Sequence, residues 1–135
     1  TCINDAYNAN PDSVRAAIQT LVSADNDGRR IAVLGDMLEL GDAGVEAHRG
    51  VGEAAVDCDV LITVGPGGSG IAEGARQAGM NESAVFECGN NGEAWLRLRS
   101  VLQEGDVVLV KGSRGMKMEE IVSRMASEIE EPVSH

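Results

Sequence analysis

Short apolar runs rich in Val, Ile and Leu alternate along the chain with longer stretches of helical character. The runs predict strands over residues 1–4, 30–34, 59–64, 84–87 and 106–110, and the stretches between predict helices near 11–24, 45–56, 70–78, 93–103 and 118–129. Five βα units in succession predict an α/β fold with a doubly wound, mainly parallel sheet and helices on both faces. In such a sheet ligands sit outside the carboxyl ends of the strands. The segments that matter are therefore 5–10, 35–41, 65–70, 88–92 and 111–117, where most of the unusual polar and glycine residues fall.

Composition narrows the picture. At 135 residues the chain is one ordinary domain, with 43% hydrophobic and 24% charged residues. One Trp, one Tyr and one Phe leave the core to aliphatic side chains. A formal net charge of −11 argues against binding nucleic acid or an anionic membrane through the bulk field, and suits a soluble cytoplasmic protein. Cys2, Cys58 and Cys88 are widely spaced, lack any CxxC pattern, and read as small buried hydrophobes in a reducing compartment. No run is long enough to span a membrane, and no secretory signal opens the chain. The start at a strand, without Met, leads to the expectation of a piece of a larger protein.

The first segment reads NDAYNANPDS. Asn10 before Pro11 is an N-cap followed by proline at the first helical position, and Asp12 complements the helix dipole. Asp5, Tyr7 and Asn8 need not be polar to start a helix. An acid followed by amides at a strand end suits hydroxyls such as those of a ribose, and a solvated loop is the alternative. In GDMLELG, Asp36 and Glu39 could hold a cation or orient an amine, or be merely solvated.

In VGPGGSG, Gly65, Gly67 and Gly70 match a dinucleotide fingerprint, with Glu87 near where a ribose-binding acid belongs. Two βα units precede it, however, and Pro66 removes a backbone N–H, which favours a plain glycine-rich turn. The segment VKGSRGMKMEE is the most informative. Lys111, Arg114 and Lys117 surround Gly112, Ser113 and Gly115 at a strand-to-helix junction, which favours a carboxylate or phosphate site over simple charge balance with Glu119 and Glu120. His48 lies in a predicted helix and His135 at the tail, neither with a Cys or Asp at metal-ligand spacing. No P-loop is present, so phosphate chemistry requires another domain.

Taken in order, DAYNANPDSVRAAI, RRIAVLGDMLELG, EAHRGVG, LITVG and GDVVLVKGSRGMKME resemble the C-terminal domain of the Mur ligases, over nearly the whole chain. The resemblance is to the type that joins D-alanyl-D-alanine to UDP-N-acetylmuramoyl-tripeptide. It implies a cytoplasmic, ATP- and Mg²⁺-dependent amide ligase of peptidoglycan synthesis and cell-wall biogenesis, monomeric and built of three domains. Residues 1–135 would be the closing domain, inactive alone because the central P-loop domain holds ATP. Carried over, Asp5 resembles the acid that meets the ATP ribose, with Tyr7, Asn8 and Asn10 on the same face. Ser113 and Arg114, with Lys111, resemble the pocket for the D-alanyl-D-alanine carboxylate, while no individual role carries over to Asp36 or Glu39. A folylpolyglutamate- or cyanophycin-type ligase is the runner-up. A self-sufficient dinucleotide module using Gly65, Gly67 and Gly70 is the alternative from another class.

Overall fold

Strands β2 (Arg30–Gly35), β3 (Val60–Val64) and β5 (Val107–Lys111) are almost wholly buried, as their unbroken apolar sequences require of central parallel strands. The computed structural model describes residues 11–23, 28–37, 44–112 and 117–126, together with the backbone of residues 2–4. With β1 (Cys2–Asn4) and β4 (Val85–Cys88) they form one five-stranded sheet in the order β1-β5-β2-β3-β4. Every pairing is parallel, with Asn4 opposite Val110, Leu34 opposite Lys111 and Gly35 opposite Val64.

Alternate residues of each strand feed two separate cores. Ala32, Leu34, Leu61 and Leu109 face one way, against Val14, Ile18 and Leu21 of α1 (Pro11–Ser23), Val51 of α2 (Gly44–Ala54) and Ile71, Ala72 and Ala75 of α3 (Gly68–Gln77). Ile31, Val33, Ile62, Val108 and Val110 face the other way. There they meet Trp95 and Leu98 of α4 (Asn91–Val101) and Ile121 and Met125 of α5 (Glu119–Met125). The sheet is thus covered on both faces, as the doubly wound pattern predicts.

Helix starts follow local chemistry. Pro11 is the first residue of α1, and buried Val14, Ala17, Ile18 and Leu21 form its inward stripe. Asn90 caps α4: its side-chain oxygen accepts from the Glu93 N–H at 2.9 Å while Glu93 accepts from the Gly89 N–H at 3.2 Å. α2 and α3 touch backbone to backbone. A Cβ on Gly52 would overlap the Ile71 carbonyl, and one on Gly74 the Arg49 carbonyl.

Several element boundaries shift from the sequence reading, among them both ends of β5 and the start of α3. Asp106 is excluded from β5 and Lys111 joins it, because the Asp106 carboxylate binds the backbone N–H groups of Gln103 and Arg29 at 2.8 and 3.0 Å. Helix α3 begins at Gly68, before the expected residue 70. Cys58 is buried as anticipated and Cys88 partly so.

Candidate functional site

The chain leaves β2 toward α2 on one face of the sheet and leaves β5 toward α5 on the other, although the two strands are neighbours. Their carboxyl ends therefore flank a topological switch point, the crevice in which open α/β sheets bind ligands. Here lie Asp36, Met37, Lys111 and Gly112, with β1 ending alongside β5 at Asn4. Gly35 and Gly112 meet over the buried Met118 side chain, and a Cβ on either would press on its thioether.

Of the residues singled out in the sequence, Asp36 and Lys111 belong to this crevice. Lys111 ends β5 with its side chain only 1% exposed, so the fold seats this cation within the strand rather than in the loop that follows. Asp5, Tyr7, Asn8, Asn10, Glu39, Ser113 and Arg114 lie outside the described residues. Lys117, just before α5, has a left-handed φ of 54°, a strained conformation for a residue with a Cβ. Its carbonyl accepts from the Asn91 amide at 3.1 Å.

The structure adds His48, which has no metal-type partner in the sequence but acquires one in space. Its Nε2 lies 2.9 Å from Asp36 Oδ1 and 2.9 Å from the Met37 backbone nitrogen, while Nδ1 is 2.6 Å from the Gly44 carbonyl oxygen. A carbonyl can only accept, so Nδ1 carries a proton. The neutral ring then accepts from the Met37 N–H through Nε2, whereas an imidazolium would donate from Nε2 to Asp36. The ring is 6% exposed. The signal was present in the sequence: His48 shares the buried side of α2 with Val51 and Gly52, and a polar group there must find partners.

This pair also accounts for the glycine-rich turn. A Cβ on Gly67 would overlap both Asp36 Oδ1 and His48 Nε2, and Gly65 has a φ of 87°. Glu87, the candidate ribose acid, accepts from Arg76 at 2.8 Å, and that bond lowers its pKa. Among the described residues no group of three His, Cys, Asp or Glu side chains gathers as a metal site. A depression of about 570 Å³ lies between β4 and α4, lined by residues such as Phe86, Leu96 and Arg97, at the sheet edge away from the switch point.

The family described as "Mur ligase, glutamate ligase domain" matches residues 1–114. The chain belongs to the Mur ligase family. It is 40% identical over 134 residues to the UDP-N-acetylmuramoyl-tripeptide--D-alanyl-D-alanine ligase of Bacillus subtilis (strain 168), covering 98% of this chain and 28% of that protein. The Escherichia coli (strain K12) ligase of the same name is 37% identical, over 89% of this chain and 25% of its own length. A crystal structure of MurF from Acinetobacter baumannii superposes with a TM-score of 0.82 at 30% identity, over 94% of this chain and 28% of that one. MurF ligase from Thermotoga maritima in complex with ADP gives 0.77 at 25% identity, over 96% and 28%. This Mur ligase domain thus spans little more than a quarter of the length of the relatives it matches.

Proposed function

We propose that this Mur ligase domain is the C-terminal, substrate-closing part of a three-domain ATP-dependent enzyme that adds D-alanyl-D-alanine to UDP-N-acetylmuramoyl-tripeptide. The observation that carries the reading is similarity across 98% of the chain to a ligase of that name. In the reaction, the tripeptide carboxylate attacks the γ-phosphorus of ATP and ADP leaves. The dipeptide amine then attacks the acyl carbon and phosphate leaves. ATP and Mg²⁺ would be held mainly by the central P-loop domain, which fits a chain that contains no such loop.

Within this reading Asp5 meets the ATP ribose, with Tyr7, Asn8 and Asn10 on the same face, and Ser113 and Arg114 bind the dipeptide carboxylate. Lys111, buried at the end of β5, supplies positive charge in an otherwise acidic domain. The enzyme acts as a monomer in the cytoplasm.

The test is an amide-shift titration of the 135-residue chain with D-alanyl-D-alanine, ATP and NAD in turn. Weak, saturable dipeptide shifts at residues 113–115, with NAD silent, are expected. Micromolar NAD binding centred on Gly65, Gly67 and Gly70 would overturn the reading in favour of a dinucleotide module.

A further inference from the structure

Asp36 is the first residue beyond β2, at the switch point, and its side chain is 15% exposed. Its Oδ1 lies 2.9 Å from His48 Nε2, which donates to it when protonated, and among the described residues no other protein group is bonded to the carboxylate. The His48 ring cannot turn to follow another partner. Nδ1 is committed to Gly44, and the ring is walled by Gly67 and by Gly70, where a Cβ would come within 3.2 Å of His48 Cβ. Helix α2, which carries the ring, is itself locked onto α3 through Gly52 and Gly74. The result is a carboxylate held on rigid elements and partly exposed at the switch point, with its second oxygen left to accept from a ligand.

An α-amine is an ammonium near neutrality, with a pKa of about 8. A fixed carboxylate beside it secures its position, and the amine attacks only after giving up a proton to solvent. His48 is not itself suited to receive a proton from substrate, since both ring nitrogens are engaged and the ring is buried. We propose that Asp36, held in place by His48 as a positioning residue, orients the ammonium group of the incoming amine substrate. The substrate's identity as D-alanyl-D-alanine rests on the function proposed above.

The full-length enzyme carrying this domain is the material for the test, with two independent readouts. Calorimetry compares binding of D-alanyl-D-alanine with its N-acetyl derivative, which keeps the carboxylate but has no ammonium. ADP release gives KM and kcat for the dipeptide. In the wild type the free dipeptide binds more tightly than the acetylated one. Asp36→Asn, which keeps shape but removes charge, weakens the free dipeptide about tenfold and leaves the acetylated form unchanged, with the loss in KM rather than kcat.

His48→Ala behaves like Asp36→Asn, while His48→Gln, whose amide can accept from Met37 and donate to Asp36, recovers most of the difference. Ile71→Val, which trims the same helix pair without touching Asp36, leaves the preference intact. Equal binding of the two dipeptides by the wild type, or equal weakening of both by Asp36→Asn, would overturn the inference. An enzyme that prefers the free dipeptide in calorimetry yet releases no ADP would overturn the ligase function and leave amine recognition by Asp36 standing.

Discussion

Gly35 and Gly112 abut at the ends of two neighbouring strands: a Cβ built on Gly112 would lie 3.2 Å from the Gly35 Cα and 2.7 Å from Met118 Cγ. Met118 is fully buried against the second core and has little freedom to retreat. Gly112→Ala is therefore expected to cost about 1–3 kcal/mol of stability through overpacking. The displaced backbone is next in sequence to Ser113, so under the function proposed above dipeptide turnover by the full-length enzyme should fall by more than ATP affinity does. Denaturant midpoints and steady-state kinetics check the two halves. In a Met118→Ala background the stability penalty should shrink, because the two sites share one contact.

Helix α2 supplies a test of opposite signs within one turn. A Cβ on Gly50 meets only the guanidinium end of Arg15, at 3.3 Å, whereas one on Gly52 would overlap the Ile71 carbonyl of α3. Gly50→Ala should stabilise by up to about 1 kcal/mol through helix propensity, raising the melting temperature by roughly 3 °C. Gly52→Ala should destabilise by about 2 kcal/mol or more, since neither backbone can yield cheaply. Thermal melts of the two variants decide it, and equal effects would show that the helices are not in backbone contact.

The central strands were legible because β2 and β3 are unbroken apolar runs, and both cores follow from their two-residue alternation. The ends of β5 were not, because what sets them is non-local: Asp106 turns back to Arg29, and Lys111 pairs in the ladder opposite Leu34. The start of α3 was hidden by Gly68 and Gly70, whose low helix propensity masks a first turn that packing secures. Asp36 was a visible candidate, but its partnership with His48 required the fold to bring a strand end onto the first turns of the next helix. For the same reason Gly67 could be read only as part of a glycine-rich turn, whereas its close neighbours in the fold are Asp36 and His48.

Asp106 gives the domain an acid-sensitive joint. Its burial alone would raise the pKa, but hydrogen bonds from the Arg29 and Gln103 N–H groups and from the Arg29 guanidinium at 3.0 Å outweigh it, and the net shift is downward from 3.8. The unfolded chain therefore takes up this proton more readily than the folded one. The associated stability is fully present above pH 3.8 and is lost as the pH falls through the lower folded value. Asp106→Asn should be less stable than the wild type by a constant margin from neutrality down to about pH 4, a margin that narrows on further acidification. Urea midpoints across that range are the measurement, and a margin unchanged at the acid end would mean the charge is not what stabilises the joint.

Cys58 ends the short 3₁₀ turn after α2 in a buried position, where loss of hydration and then the negative charges of Asp59 and Asp57 push its thiol up to about 12. At pH 8 only roughly one molecule in ten thousand carries the reactive thiolate. Cys88 is also raised, chiefly by burial and then by Glu93, but it is only half-buried. Alkylation of the folded chain followed by mass spectrometry should therefore modify Cys88 slowly and Cys58 far more slowly still. Both should react rapidly in guanidinium, where burial is gone. Fast labelling of Cys58 under native conditions would show that the segment joining α2 to β3 opens locally on the timescale of the reaction, since only a trace of thiolate forms in place.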